Sequence, residues 1–183
     1  MKKFFMLTLL LLLLLPVVCE AATAKKIAIL PVFSRSYYDD EIEKQTARDF
    51  LYNKFQAPDN ADAWEVIPEQ TVLSVIPPNL QGGKKRGKLP KDLLPAVADK
   101  LAADWVIAAE ITELSENSST SSYTGTSISA RLAIRVLAYD RATNTFYEKS
   151  DFEVYDGGTD NFDEQYLTTQ IMTHVLNRLP IGN

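Results

Sequence analysis

The amino-acid sequence predicts a single α/β domain whose mixed β-sheet is packed with helices. The chain has 183 residues, which is enough for one hydrophobic core and short for two full domains. Continuous apolar runs, typical of buried strands, alternate with helical patterns through its first part. An alternating apolar and polar pattern, typical of antiparallel strands, occupies the later part. We therefore expect parallel first strands and an antiparallel C-terminal meander.

The first part predicts strands joined by helices. Ile27–Phe33 is a continuous apolar run that indicates a buried strand, and Pro31 should lie near its end because proline lacks the N–H that a sheet needs. An apolar face with helical spacing follows, formed by Ile42, Thr46, Ala47, Phe50, Leu51 and Phe55. Trp64–Ile67 indicates a second strand, and Thr71–Ile76 indicates a short helix that a Pro-Pro pair ends. Strands connected in this way should be parallel.

The later part predicts one more helix, three strands and a closing helix. Leu94–Ala102 has the apolar stripe of a helix, and Trp105–Thr112 begins apolar on both faces, which favours an interior strand. Ile128–Tyr139 alternates as a long amphipathic strand, with Phe146–Tyr155 as its antiparallel partner. Apolar residues spaced from Phe162 to Leu179 predict the last helix.

Two polar segments are predicted to lie outside the sheet. Ser115–Ser127 is rich in Ser and Thr, and we interpret it as a mobile hairpin tip or loop. Asp156–Asp160 weakly resembles a calcium loop, but the regular spacing of oxygen ligands and the closing Glu are missing. We therefore expect a turn that leads into the last helix.

The N-terminus predicts export. A basic start, an apolar run at Phe4–Leu15 and the small residues Ala22 and Ala24 are the pattern of a bacterial-type secretory signal peptide. The apolar run is short for a membrane-spanning helix, which needs about 20 residues. We expect a signal peptide at residues 1–24, cleaved after Ala24, and a periplasmic or secreted domain at residues 25–183. Cleavage after Ala21 is the rival, and a retained anchor is a weaker alternative.

Cys19 offers a further alternative for processing. Bacterial lipoproteins are cut directly before a cysteine that becomes acylated, usually after Leu, a small or β-branched residue, and Gly, Ala or Ser. Here Pro16 stands where Leu is usual, and Val18 is large for the position before the cut. Lipidation at Cys19 is thus the second choice, and it would anchor the protein to a membrane. If Cys19 leaves with the signal peptide, the remaining chain has no cysteine, which suits an oxidising compartment.

The composition excludes several function classes. A net charge of −5 argues against broad attraction to nucleic acid. One cysteine and one histidine, His174, exclude a cysteine-rich zinc site and a site built from several histidines. No glycine-rich phosphate loop follows a strand. We expect no catalytic residue, no metal and no cofactor. We interpret His174 as a surface residue and an acidic cluster as the N-terminus of a helix rather than a cation site; that cluster comprises Asp39, Asp40, Glu41 and Glu43.

A basic loop is the candidate interaction site. It places five positive charges in eight residues of an otherwise acidic chain: Lys84, Lys85, Arg86, Lys88 and Lys91. One interpretation is a solvated, mobile loop. The functional interpretation is an electrostatic contact with an acidic partner protein, anionic lipid head groups or an anionic wall polymer.

Four short motifs together resemble one group of bacterial envelope domains. They are Ile27–Val32, Trp64–Pro68, Ala98–Glu110 and Ala138–Asn144. Their order is similar to that of the TolB amino-terminal domain and the curli-secretion CsgG superfamily. The resemblance implies a non-catalytic envelope protein that acts as an interaction or scaffold module. An accessory subunit of a secretion or transport assembly is the alternative, and a hydrolase is a third. A pore-forming role ranks lower because Ser115–Ser127 holds only one large apolar residue, Tyr123.

Overall fold

The computed structural model describes residues 23–36, 40–81, 89–121, 125–158 and 163–181. Within these ranges, six strands form one mixed sheet packed with four helices. The predicted α/β class with a single mixed sheet is therefore confirmed. Most of the signal segment, including Cys19, lies outside the described residues, as do Lys84, Lys85, Arg86 and Lys88 of the basic loop.

The chain begins with the elements that supply the parallel half of the sheet. In order they are β1 (Lys25–Ile29), β2 (Phe33–Ser34), α1 (Glu41–Gln56), β3 (Trp64–Val66), α2 (Glu69–Val75) and α3 (Leu93–Leu101). The rest of the chain supplies the antiparallel half and the closing helix. In order they are β4 (Trp105–Ser121), β5 (Gly125–Asp140), β6 (Thr145–Gly158) and α4 (Glu164–Asn177). Among these helices, none is long and apolar enough to cross a membrane.

The strand order is β3-β1-β4-β5-β6. β1 lies between β3 and β4 and runs parallel to both, whereas β4, β5 and β6 form an antiparallel meander. The predicted directions and the interior positions of β1 and β4 are thus confirmed. The predicted single strand Ile27–Phe33 is divided, since the residues around Pro31 leave the ladder and β2 resumes as a separate parallel partner of β4.

The interpretation of Ser115–Ser127 as a loop is wrong over most of its length. β4 extends to Ser121 and pairs with β5 as far as Gly125. Hydroxyl pairs across the two strands accompany this extension, with 2.8 Å between the Oγ atoms of Ser119 and Ser127 and 3.1 Å between the Oγ1 atoms of Thr120 and Thr126. Such cross-strand pairs stabilise a polar antiparallel ribbon, so a lack of apolar residues does not prevent strand formation.

The predicted turn at Asp156–Asp160 also needs correction. β6 continues to Gly158, where it pairs with Ser127. Asp156 and both glycines therefore belong to the strand, while Thr159 and Asp160 lie outside the described residues. Backbone pairing with β5 holds both glycines in the ladder.

The core has one layer on each face of the sheet. α1 and α4 cover one face, where Ile29, Ile107 and Ile134 are buried, and α2 and α3 cover the other, where Leu30 and Leu137 are buried. Side chains of successive strand residues point to opposite faces, so each central strand contributes to both layers.

The apolar face predicted for α1 is wrong at its first residue. Ile42 is 48% exposed, and Glu43 is buried in its place. Residues four apart lie on one helical stripe, and the buried stripe here runs from Glu43 through Ala47 and Leu51 to Phe55. Ile42 lies one residue before that stripe and faces solvent.

Candidate interaction face

On the sheet face that α3 covers, the described helices leave part of β4, β5 and β6 open. Val106 and Leu137 are buried there. Farther along the strands, the pairing register places Glu113, Ala133 and Phe152 in one row and Ser115, Arg131 and Val154 in the next. We call this surface the open face and define it by five residues: Glu113, Arg131, Ala133, Phe152 and Val154. The side chains of Phe152 and Val154 are adjacent on one strand face because they are two residues apart.

The open face combines exposed apolar groups with a paired charge. Phe152 is 51% exposed and Val154 is 52% exposed. The guanidinium of Arg131 lies 4.5 Å from the centre of the Phe152 ring, and its Nε is 3.0 Å from a carboxylate oxygen of Glu113. Aromatic and arginine side chains grouped in this way are typical of the residues that dominate protein–protein binding.

A buried carboxylate lies in the next row of the sheet. Glu110 of β4 is fully buried. Arg35 donates to both of its oxygens, from Nε at 2.8 Å and Nη2 at 3.2 Å, and the backbone N–H of Leu89 donates to Oε1 at 3.0 Å. Arg135 of the neighbouring strand pairs with the second oxygen. Glu110 thus joins the end of β2, the start of the α3 segment and the centre of the sheet.

The ion pairs continue to the edge of the sheet. Arg135 Nη1 donates to Glu148 of β6 at 3.1 Å, and Lys91 Nζ lies 2.6 Å from the other oxygen of Glu148. We call this set of side chains the Glu110 network; it contains Arg35, Lys91, Glu110, Arg135 and Glu148. It borders the open face, because Arg135 and Ala133 are consecutive residues on the same face of β5.

The electrostatics keep the Glu110 network charged. Burial alone would raise the pKa of Glu110, but hydrogen bonds from Arg35, Leu89 and Arg135 together hold it below its ordinary value. The hydrogen bond from Lys91, aided by Arg135, lowers the pKa of Glu148 against a smaller effect of burial. A carboxylate that is fully buried and held by three donors is not available to a substrate. The network therefore positions segments of the chain.

The basic loop predicted as an interaction site ends at this network. The Leu89 N–H binds Glu110, and the side chain of Lys91, which is 47% exposed, pairs with Glu148. Lys91 thus belongs to the Glu110 network, which borders the open face, and its charge is paired. Lys84, Lys85, Arg86 and Lys88 lie outside the described residues, and their role stays a prediction.

The other residues singled out in the sequence lie elsewhere. His174 is exposed on α4, with its Nδ1 3.7 Å from an oxygen of Asp151. In the acidic cluster, Asp40 is buried and pairs with Lys44 at 3.6 Å, and Lys44 also pairs with Glu41 at 2.5 Å. Asp39 lies outside the described residues. Across the described ranges, His, Cys, Asp and Glu side chains form no group of three or more that could hold a metal ion.

A shallow cleft of about 170 Å³ opens at the carboxyl ends of β1 and β3, between the first turns of α1 and α2. Ligands often bind at this position in open α/β sheets. Here the two cations of the lining are already paired, Lys44 with Glu41 and Arg48 with Glu69 at 3.6 Å. Among the described residues, the cleft therefore offers no unpaired charge to a ligand, in contrast to the exposed apolar groups of the open face.

Sequence reasoning missed both the open face and the Glu110 network. Glu110 is a single charged residue inside the apolar run that begins at Trp105. A charged residue in a strand predicted to be buried could have identified this site from the sequence. The open face gives a weaker signal. Phe152 and Val154 alternate regularly with acidic residues, which is equally typical of a strand whose apolar side is buried.

No family model matches the sequence, and no curated protein matches it. Among solved structures, lipoprotein GNA1162 from Neisseria meningitidis is 14% identical, with a TM-score of 0.49 over 84% of this chain and 96% of that chain. The PelC dodecamer from Paraburkholderia phytofirmans is 13% identical, with a TM-score of 0.47 over 85% and 88%. The LpoB C-terminal domain from Escherichia coli is 11% identical, with a TM-score of 0.42 over 71% and 82%. The resemblance to the TolB amino-terminal domain and the CsgG superfamily stays a prediction.

Proposed function

We propose that this protein is an exported, non-catalytic interaction module of the cell envelope and that it binds another protein through the open face. The observation that supports this most strongly is the pair Phe152 and Val154. Each side chain is about half exposed, and they are adjacent on a strand face that no described helix covers. Contiguous exposed apolar side chains on a soluble domain often mark interaction sites.

The charges around the open face favour a protein over an anionic surface. Lipid head groups and wall polymers select for basic side chains whose charge is free. Arg131 is paired with Glu113, and Lys91 is paired with Glu148. A protein partner can instead cover Phe152 and Val154 with its own apolar side chains, and each square ångström of apolar surface removed from water contributes about 25 cal/mol.

Export is the second part of the proposal. It is supported by the basic start, the run of leucines and the Ala-x-Ala pattern of the N-terminus. We infer that cleavage after Ala24 yields a periplasmic or secreted protein, with acylation at Cys19 as the alternative. A role as an accessory subunit of a secretion or transport assembly would use the same open face.

Site-specific photo-crosslinking in cells tests the interaction. A photoreactive benzoylphenylalanine is introduced in place of Phe152 and, as a control, in place of Ile42 on α1. Ile42 is a matched control because it is apolar, 48% exposed and outside the open face. We expect a discrete protein adduct from position 152 and none of the same mass from position 42. The absence of an adduct from position 152, or identical adducts from both positions, would overturn the proposal.

A further inference from the structure

The outer edge of β6 is a surface that none of the described strands pairs with. β6 is the last strand of the sheet and is bonded to β5 on one side only. Residues along an antiparallel strand direct their backbone groups alternately toward each neighbour. The backbone oxygen of Ser150 and the backbone N–H of Phe152 face the outer edge, since each forms a hydrogen bond there with a side chain. Such an edge can pair with a strand of another chain.

Two side chains close this edge at its centre. Arg178, just after α4, donates from Nη2 to the backbone oxygen of Ser150 at 2.9 Å and to Asp151 Oδ2 at 3.1 Å. Asp151 Oδ1 accepts the backbone N–H of Phe152 at 3.0 Å. Arg178 Nε also donates to the backbone oxygen of His174 at 3.2 Å, which fixes its side chain against α4. We call the Asp151–Arg178 pair the edge clip.

We propose that the β6 edge is a pairing surface for a second copy of this chain and that the edge clip keeps it closed. The second β6 would run antiparallel and be centred on Ser150, so that position 150 of one copy faces position 150 of the other. The inference does not rest on the proposed function, because it depends on backbone pairing along the edge of β6, although Phe152 and Val154 of the open face would lie opposite residues of the second copy.

The charges of β6 favour this register over its neighbours. With Ser150 at the centre, Lys149 of each copy faces Asp151 of the other on one side of the sheet. On the other side, Phe146 faces Val154 and Glu148 faces Phe152, so only the first of these pairs is apolar on both strands. Opposite charges and apolar pairs that face each other across strands are stabilising, and like charges are destabilising. Centring on Lys149 would place Lys149 opposite Lys149 of the second copy. Centring on Asp151 would likewise place Asp151 opposite Asp151.

The edge clip occupies the backbone groups that this register needs. Self-pairing at the centre would bond the backbone oxygen of Ser150 in each copy, which Arg178 now holds. Natural sheets commonly protect their edges with charged side chains. The dimer can therefore form only after Arg178 releases the edge.

The test compares the Arg178→Ala variant with wild-type protein by sedimentation analysis over a range of concentrations. We expect the variant to dimerise with a dissociation constant at least tenfold lower than that of the wild type. Arg141→Ala is the matched control, because Arg141 is similarly exposed and pairs with Asp99 at 3.2 Å from the turn between β5 and β6, away from Ser150. We expect it to behave as the wild type. A monomeric Arg178→Ala variant, or a wild type that dimerises equally well, would overturn the proposal.

Two second-site changes in the Arg178→Ala background show which surface dimerises. Ser150→Pro removes only an outward N–H, so the ladder with β5 is kept while edge pairing is blocked. Lys149→Glu sets like charges against Asp151 twice in the symmetric dimer, and we expect it to raise the dissociation constant roughly tenfold. Circular dichroism confirms that each variant is folded. A dimer that neither change weakens would use another surface and would contradict the inference.

Discussion

Glu110 links the end of β2, the segment before α3 and β5 beside the open face. It is fully buried, yet it is ionised, because Arg35, Arg135 and the Leu89 N–H all donate to it. A buried ion pair need not stabilise a fold relative to apolar residues, but removing one partner leaves uncompensated charge. Two of its three donors are the side chains of Arg35, after β2, and Arg135, on β5, and the third is the Leu89 N–H before α3. The loss of Glu110 should therefore weaken contacts of three elements.

Glu110→Gln should therefore lower the free energy of unfolding by about 3 kcal/mol, since it leaves the charges of Arg35 and Arg135 without their shared partner. The matched control is Glu113→Gln on the same strand, where the side chain is 48% exposed and, among the described residues, pairs only with Arg131. That change should cost less than about 1 kcal/mol. Urea denaturation measures both values. Equal losses in the two variants would show that the Glu110 network does not anchor the fold.

The pH dependence of stability follows from the same residues. The pKa values of Glu110 and Glu148 are lower in the folded protein than their ordinary value of 4.5. Their contribution is thus present above pH 4.5 and is lost as the pH falls through the folded values. Denaturation between pH 7 and pH 3 should show a smaller loss of stability for the Glu110→Gln, Glu148→Gln double variant than for the wild type. If the free energy of unfolding fell equally with pH in the two proteins, Glu110 and Glu148 would not be the source of the pH dependence.

At the scale of elements, the sequence best predicts those strands and helices whose hydropathy pattern follows from burial. The strands around Ile29 and Ile107 were predictable because they are continuously apolar, and the helices that cover them were predictable because each carries an apolar stripe. The polar end of the β4–β5 hairpin was not predictable from hydropathy, because pairing there depends on hydroxyl side chains such as Ser119 and Thr120 and on the backbone. The open face was not predictable because alternation alone does not reveal which strand face remains uncovered.

The strand assignment predicts opposite outcomes for two isoleucine-to-aspartate changes. Ile29 is 1% exposed at the centre of the sheet, so Ile29→Asp buries a charge without a partner and should unfold the domain or abolish soluble expression. Ile42 is 48% exposed, so Ile42→Asp should change stability by less than about 0.5 kcal/mol. Thermal denaturation distinguishes the two. Unchanged stability in Ile29→Asp would refute the interior position of β1.

At the scale of the whole molecule, the described helices cover both faces of the sheet at its parallel half, and they leave the open face uncovered on the antiparallel meander. The helices bury both faces of β1 and the start of β4, whereas the distal half of the meander keeps Phe152 and Val154 in solvent. This division separates a stable core from a surface that is free to bind.

Export makes a direct prediction about the N-terminus of the purified protein. Cleavage after Ala24 should give a chain that begins at Lys25 without an acyl group, because Ala22 and Ala24 fit the general signal peptidase. Intact-mass spectrometry of protein isolated from the envelope fraction measures this. An acylated N-terminal Cys19 would show instead that the protein is a membrane-anchored lipoprotein.

The most direct test of the open face is the affinity of its partner. The protein crosslinked at position 152 is identified, purified and titrated with the wild type, with Phe152→Asp and with Ile42→Asp. Both changes place a charge at a half-exposed apolar position, so neither should unfold the domain. We expect the wild type and Ile42→Asp to bind equally and Phe152→Asp to bind at least tenfold more weakly, as is typical when a central interface residue is lost. Equal affinities for all three proteins would contradict the proposed role of the open face.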